Sequence, residues 1–225
     1  MQKYYPDSGV EIQGFTAKFY DSMLNIISFG SYSSFIKKAI CSININKNDK
    51  ILDLGAGTGR NALLMNKQIS EKGEILGLEI SELMIAQFKS KTKEFSNLNI
   101  INKRIDQPFD LEKKYDKVFI SFVLHGFPLK IQKNIIRNAF NALKEDGEFI
   151  ILDFNEFIVD KTPLYFRIPF KIIECKYAFE YVERDWKQIL SEFGFVDFQE
   201  KLFLNKHIRL LNARRSNKMY PLDEV

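Results

Sequence analysis

The chain is poor in the residues that build metal and redox centres. Its 225 residues include two cysteines, Cys41 and Cys175, which lie far apart and have no cluster of histidines nearby. No CxxC pair occurs, and no spacing typical of metal ligands is present. We therefore expect neither a zinc site nor a redox dithiol, and no metal in the chemistry.

Long apolar runs and a strong excess of charge are also missing. No apolar run approaches the ~18 residues of a transmembrane helix, and the opening "MQKYYPDSG" lacks the apolar centre of a signal peptide. The 33 basic residues face 29 acidic ones, which leaves a net charge of +4. These features predict a cytoplasmic protein with reduced thiols that does not bind nucleic acid.

Aromatic residues, in contrast, are abundant, with 21 Phe and 9 Tyr. The length fits a single domain, in which we distinguish four parts. These are an N-terminal helical cap (1–46), a core (47–154), a substrate lid (155–181), and a C-terminal helix and hairpin (182–225). The lid is rich in aromatics and contains Pro163 and Pro169, so we expect it to be irregular.

Short apolar runs alternate with helical patterns through the core. Five strands are predicted there: "KILDL", "EILGLEI", "LNIIN", "YDKVFISFVL" and "EFIILDF". The helix before the fifth strand is predicted to close with the turn "KEDG". This alternation indicates a parallel sheet covered by helices on both faces. Two later runs, "FVDFQEKLFL" and "KHIRLLNAR", predict a hairpin that gives the sheet an antiparallel ending.

The strongest functional signal is a glycine-rich loop. A strand runs through Asp53, three glycines follow at every second position (Gly55, Gly57 and Gly59), and a helix begins after them. Glycines let the backbone adopt positive φ and approach a ligand, and a helix start offers free N–H groups. The next strand ends at Glu79, whose carboxylate can accept both hydroxyls of a ribose. The pattern predicts a nucleoside-binding site.

Asp53 distinguishes between two classes of ligand. A dinucleotide site has its third glycine one position later, and a carboxylate just before the loop would repel a pyrophosphate. The same carboxylate would attract an ammonium group. The residues therefore favour S-adenosylmethionine (SAM), with an NAD(P)-binding domain as the weaker alternative.

Several stretches together resemble the motifs of the class I SAM-dependent methyltransferases. "ILDLGAGTG", "GLEIS" and "RIDQPF" are similar to the first three motifs, and the match continues through the fifth strand at Phe154. The resemblance implies a Rossmann-like α/β fold. Its sheet would be mostly parallel and seven-stranded with an antiparallel last strand, with helices on both faces and an N-terminal helical cap.

The resemblance also implies which residues bind SAM. Asp53 and the glycines would hold its methionine part, Glu79 its ribose, and Asp106 its adenine amine. The full implied set is Asp53, Gly55, Gly57, Gly59, Glu79, Ile80, Ile105, Asp106 and Ser121.

Two stretches resemble the ubiquinone/menaquinone C-methyltransferases. They are "AKFYDSMLNIISFGSYSSFIKKAI", near the N-terminus, and "ISFVLHGF", which is similar to that family's "ISFGLRN". The resemblance implies that Tyr20 closes over the cofactor. It also implies a small apolar aromatic acceptor such as a quinol ring carbon, which includes prenylated quinols. His125 stands where the family pattern has arginine.

His125 and Tyr20 are the predicted catalytic residues. His125 follows the fourth strand, where loops reach the active-site side of such sheets, and a histidine could remove a proton from a phenolic or hydroquinone acceptor. A supporting or surface position is the alternative for His125. His207, in the predicted hairpin, is interpreted as structural.

Other functions stay open from the residues alone. One is O-, N- or S-methylation of another small molecule, and a second is SAM binding without catalysis. The chain is expected to act as a monomer or homodimer. A prenylated acceptor would bring it to the inner membrane surface as a peripheral protein.

Overall fold

The computed structural model describes residues 31–217. The greater part of the predicted N-terminal cap, with Tyr20, lies outside these residues. The description begins with helix α1, Ser31–Ile40. Its Phe35, Ile36, Ala39 and Ile40 are buried in the core, as their spacing on one helix face predicts.

Within the described residues, seven strands form one sheet in the order β3-β2-β1-β4-β5-β7-β6. Only β7 runs against its neighbours, since it pairs antiparallel with both β5 and β6. This confirms the predicted sheet with its antiparallel last strand. The strands are β1 (Lys50–Leu54), β2 (Glu74–Glu79), β3 (Leu98–Asn102), β4 (Tyr115–Ser121), β5 (Leu143–Phe154), β6 (Phe195–Phe203) and β7 (Ile208–Arg215).

Helices connect the strands and cover the sheet. After α1 they are α2 (Arg60–Asn66), α3 (Glu82–Thr92), α4 (Leu129–Ala142), α5 (Leu164–Ile173), α6 (Lys176–Tyr181) and α7 (Trp186–Glu192). The chain moves from β1 through β2 to β3 in one direction along the sheet, and from β4 to β5 in the other. Because such crossovers are right-handed, α2 and α3 cover the face opposite to α4.

The central strands are apolar because both of their faces are buried. Leu52, Leu54, Val118, Phe119 and Ile120 have almost no exposed surface. β1 and β4 are neighbours, and the connections leave them in opposite directions. The carboxyl ends of these two strands therefore open into a crevice, where ligands bind in sheets of this kind.

Two predictions of local structure were wrong. The "KEDG" turn lies inside β5, which begins at Leu143 and shifts register between the pairs Tyr115–Leu143 and Lys117–Glu148. The turn becomes a bulge, with Asp146 at φ 60.

The lid segment is helical rather than irregular, since it contains α5 and α6. Pro163 precedes α5 as its N-cap and so does not break it. Pro169 lies inside the helix, but Phe166 and Phe170 share one face and pack against the core. Their burial fixes the helix despite the hydrogen bond that proline cannot donate.

Gly77 on β2 tests how tightly the glycine loop is packed on the sheet. A Cβ atom at Gly77 would lie 2.6 Å from the Cβ of Ala56. We expect Gly77→Ala to lower the free energy of unfolding by about 1–3 kcal/mol through overpacking, measured by denaturant titration. Asn99→Ala, at an exposed position of β3, should change it by less than about 0.5 kcal/mol. Equal stability of the two variants would contradict this packing.

Candidate functional site

The glycine loop lies at the carboxyl end of β1 and is attached to β2. The N–H groups of Gly55 and Ala56 donate to the carbonyl oxygen of Leu78, at 2.9 and 3.1 Å. Gly55, Gly57 and Gly59 all have positive φ, at 73°, 55° and 81°. A side chain at Gly55 or Gly59 would collide with Val123 or Phe88, whereas a Cβ at Gly57 would meet open space. The loop therefore exposes its backbone at Gly57.

Glu79 holds this loop from the end of β2. Its Oε2 accepts a hydrogen bond from the Gly57 N–H at 3.0 Å. Its Oε1 accepts from the N–H groups of Ile80 and Ser81, at 2.8 and 2.9 Å. Ser81 in turn caps α3. Oε1 thus accepts two hydrogen bonds, but Oε2 accepts only one, so Glu79 can also accept from a ligand beside the loop through the second lone pair of Oε2.

Asp53 contributes a buried carboxylate oxygen that lacks a partner. The residue is 1% exposed, and its Oδ2 has no hydrogen bond with any residue that the structure describes. Burial, together with the nearby charge of Glu79, raises the pKa of Asp53 to about 7. An unsatisfied buried acceptor is costly, so the site fits a ligand that brings an ammonium group.

The third motif forms a separate, already paired group. The guanidinium of Arg104 donates to both oxygens of Asp106, with Nε–Oδ1 at 3.1 Å and Nη2–Oδ2 at 2.6 Å. Ile105 is buried, and its carbonyl oxygen accepts from Asn138 at 2.8 Å. The sequence predicted Asp106 and Ile105 but not the ion pair with Arg104, which occupies the carboxylate.

The end of β4 brings Ser121 and Phe122 next to the loop. Ser121 follows Ile120, which pairs with Leu54 immediately before Gly55. Phe122 has φ 52, a strained value for a bulky residue that is typical of functional sites. Its N–H donates to the Leu152 carbonyl at 2.9 Å. Its ring packs edge-on against Phe154, with centroids 6.2 Å apart.

His125 lies in the short turn after β4, between two carboxylates. Its Nδ1 is 2.6 Å from Oδ1 of Asp153 and its Nε2 is 3.3 Å from Oε2 of Glu174. Burial lowers the pKa of His125, but the two carboxylates outweigh burial and raise it to about 10. The ring is therefore an imidazolium at neutral pH, and it can act as a base only after Nε2 has released its proton.

Sequence reasoning did not find Asp153 and Glu174. Asp153 had a usable signal, since "EFIILDF" ends β5 with an aspartate followed by one residue, as "KILDL" ends β1. Glu174 follows α5 directly, and nothing in the sequence pattern indicates that it reaches a histidine 49 positions earlier.

Aromatic rings enclose the site on the side of β5. Phe154 packs against the His125 ring at 5.0 Å and against Phe170 of α5 at 5.1 Å. Phe35 of α1 packs against Phe122 at 6.3 Å. These residues give the crevice an apolar wall opposite the polar glycine loop.

Two tyrosines of the lid, and His207 of the hairpin, lie away from this wall or inside the core. Tyr181 is buried and stacks on Trp186 at 4.2 Å, which is a packing role. Tyr165 is exposed, so it belongs to neither the core nor the apolar wall of the crevice. His207 stacks on Phe166 at 4.0 Å, and its Nδ1 bonds the Leu204 carbonyl, in agreement with a structural role.

A family model described as "Methyltransferase domain" matches residues 45–194, which is more than half of the chain. The chain belongs to the SAM-dependent methyltransferases. Its cofactor is accordingly SAM, and the NAD(P) and non-catalytic alternatives are set aside. SAM supplies a methyl group already activated on a sulfonium.

Individual relatives agree with this assignment. The chain is 30% identical to a protein named demethylmenaquinone methyltransferase from Staphylococcus carnosus, over 80% of this chain and 76% of that one. It shares its fold with a SAM-dependent methyltransferase from Aquifex aeolicus at a TM-score of 0.60 and 17% identity, covering 80% and 88% of the two chains. For human N-acetylserotonin methyltransferase, solved in complex with SAM, the TM-score is 0.64 and the sequence identity 15%. The match covers 84% of this chain and 53% of that one.

The variant Asp53→Asn is expected to have opposite effects on the stability of the cofactor-free enzyme and on its affinity for the cofactor. The pKa of Asp53 is about 7 in the folded protein, whereas its ordinary value is 3.8. Between these two pH values the folded state therefore binds more protons than the unfolded state. Stability therefore falls as the pH rises through this window. At pH 8 we expect the variant to stabilise the cofactor-free enzyme by about 1–3 kcal/mol. It should weaken binding of S-adenosylhomocysteine about 10- to 100-fold.

Calorimetric titration and thermal unfolding measure the two effects of Asp53→Asn. Asp110→Asn, at an exposed carboxylate, is the matched control and should alter neither. Loss of stability together with unchanged affinity would contradict the position of Asp53 at the cofactor.

Glu174→Gln tests the charge state of His125. The two histidines of the chain can be followed by NMR titration of their imidazole protons. Removing one carboxylate should lower the pKa of His125 from about 10. The pKa of His125 is higher in the folded protein than its ordinary value of 6.5. Its contact with Glu174 therefore stabilises the protein below pH 6.5, and this contribution is lost as the pH rises toward 10.

Glu192→Gln, at an exposed carboxylate on α7, is the control for this titration. A His125 that titrates near 6.5 in both the wild type and Glu174→Gln would show that the two carboxylates do not hold it.

Proposed function

We propose that this methyltransferase transfers its methyl group to a ring carbon of a quinol, including prenylated quinols. The observation that carries the proposal is the 30% identity to a demethylmenaquinone methyltransferase over 80% of the chain. The apolar wall supports it, because Phe122, Phe154 and Phe170 offer edge-on surfaces that suit a flat aromatic acceptor.

The geometry of the loop supports the cofactor roles that the family resemblance implies. Asp53 would hold the ammonium group of SAM, and the backbone at Gly57 would approach its methionine part, between Gly55 and Gly59. Glu79 would accept the ribose hydroxyls while it keeps the loop in place. Ser121, at the end of β4, would stand beside the methionine part.

The adenine contacts would come from the two neighbouring motifs. Ile80, directly after Glu79, would lie against the ring face, and Ile105 would support it on the other side. Asp106, which is paired with Arg104, would face the adenine amine. Tyr20, which would close over the cofactor, lies outside the described residues.

The proton of a quinol hydroxyl would go to His125. Asp153 orients the ring and keeps a proton on Nδ1, so Nε2 is the atom that can serve as the base. Glu174 competes with the acceptor for Nε2. An acceptor that displaces Glu174 removes one of the two negative charges beside His125, which lowers the pKa of His125. Nε2 would then release its proton to water before it accepts the proton of the quinol hydroxyl. The segment 155–181 that carries Glu174 would act as the lid over the acceptor.

Turnover with a defined acceptor tests this function. We expect the enzyme to convert a demethylated naphthoquinol with a short prenyl chain, kept reduced, and to form a product whose new methyl group is bonded to carbon by NMR. His125→Gln should lower kcat about 10²- to 10⁴-fold, as loss of a general base does, with unchanged affinity for S-adenosylhomocysteine. His207→Gln is the matched control and should retain activity.

Two results would contradict the proposal. One is turnover restricted to catechols, amines or thiols, with the methyl group on oxygen, nitrogen or sulfur. The other is full activity of His125→Gln, which would remove the role of His125 while leaving the acceptor class intact.

A further inference from the structure

The outer face of α5 gathers much of the exposed apolar surface. Five of the eleven large apolar side chains that are exposed among residues 31–217 lie on this ten-residue helix. Three of them are Tyr165 at 66%, Ile168 at 54% and Ile172 at 77% exposed. They follow the i, i+3, i+7 spacing of one helix face. Isolated exposed apolar residues are ordinary, but a cluster of this kind marks an interaction surface.

The opposite face of α5 is apolar as well and is already used. Phe170 is buried and packs against Phe154, Phe157 and Phe179, at 5.1 to 5.6 Å between ring centroids. A helix with apolar side chains on two opposite faces is expected to bury both faces when the protein functions. The core covers the inner side, so the outer side needs a second apolar environment.

Two neighbouring segments extend this face into one continuous edge. The side chain of Asn205, in the loop before β7, donates to the Tyr165 hydroxyl at 2.8 Å, which brings exposed Leu204 to the start of α5. Arg167 donates to the Asp160 carbonyl at 2.7 Å, which ties the turn with exposed Ile158 to the helix. We call this the docking edge. Its residues are Ile158, Leu164, Tyr165, Ile168, Ile172 and Leu204.

The charges around the docking edge are mainly positive. Lys161, Lys171, Lys176 and Lys206 are all exposed on α5 or its flanking segments. Acidic residues nearby are paired: Asp160 with Lys171, one of these four lysines, at 2.7 Å, Glu174 with His125, and Glu180 with Arg184. Lys161, Lys176 and Lys206 therefore leave a positive charge. Aliphatic side chains with lysines at their margin are typical of a helix that lies in the interface of an anionic bilayer.

We propose that the docking edge binds the surface of an anionic lipid bilayer, with α5 lying in the plane of the headgroups. A second copy of the chain fits this surface less well, because a two-fold contact would bring the same lysines against each other. No helix within the described residues is long and apolar enough to cross a bilayer, and the docking edge needs none, since it binds from one side.

The position of α5 links this surface to the acceptor side of the crevice. The inner residue Phe170 contacts Phe154, which contacts His125, and Glu174 at the end of the helix reaches the same ring. A quinol carried in the bilayer would thus enter beside α5. This route rests on the proposed function, whereas binding to the bilayer does not need it.

Flotation with lipid vesicles tests the proposal on the full chain. We expect the wild type to bind vesicles of phosphatidylcholine with one third phosphatidylglycerol at least about tenfold more tightly than pure phosphatidylcholine, in a salt-dependent way. Ile168→Ser with Ile172→Ser should weaken binding about tenfold or more. Leu83→Ser with Ile101→Ser, two exposed apolar positions away from α5, is the matched control and should bind as the wild type does. Lys161→Gln with Lys206→Gln should remove the preference for the anionic lipid.

Turnover of a short-chain, dispersed quinol by the same variants separates the two proposals. Vesicle binding that behaves as expected, without quinol turnover, would support the docking edge and overturn the quinol function. Quinol turnover by a wild type that ignores the vesicles would overturn the docking edge alone. A dimer in sedimentation velocity that Ile168→Ser with Ile172→Ser converts to monomer, without vesicle binding, would assign the edge to a second copy and also overturn the proposal.

Discussion

The glycine loop of this enzyme depends on the Glu79 carboxylate, which accepts three backbone hydrogen bonds at the end of β2. One comes from Gly57 in the loop after β1, and two come from the start of α3. This single side chain therefore sets the shape of the glycine loop and the start of the next helix. Its charge also disfavours ionisation of Asp53, which is buried without a partner for Oδ2. The protein is thus arranged to accept a cation at this place.

A second carboxylate group organises the acceptor side around His125. Asp153 comes from β5 and Glu174 from the end of α5, so the imidazolium connects the sheet to the helix above it. The pattern of the ubiquinone/menaquinone C-methyltransferases has arginine at this position. Here the two carboxylates keep His125 positively charged, so a cation is present as it would be with arginine. A movement of α5 that withdraws Glu174 would release Nε2. In the proposed function, entry of the acceptor and deprotonation of His125 would therefore depend on the same contact, between Nε2 and Glu174.

The fold and the position of the glycine loop beside Glu79 were accessible from sequence because they follow local patterns. The strands of the core are short apolar runs, and Asp53, the three glycines and Glu79 stand at the ends of two of them. The acceptor side was not accessible in the same way. Glu174 reaches His125 only through the path of α5, and Arg104 meets Asp106 by side-chain geometry that no spacing specifies. The prolines of the lid suggested irregular chain, whereas burial of Phe166 and Phe170 outweighs the cost of Pro169 in the helix.

The most direct test of this account is the number of protons released when S-adenosylhomocysteine binds at pH 7, measured by calorimetry in buffers of different ionisation enthalpy. Asp53 is about half protonated at that pH in the free enzyme, since its pKa is about 7. Contact with the ligand's ammonium group would make it fully ionised. The account predicts release of roughly half a proton per site from Asp53. Tight binding without proton release would contradict it, because the buried carboxylate would then not be the group that receives the cofactor.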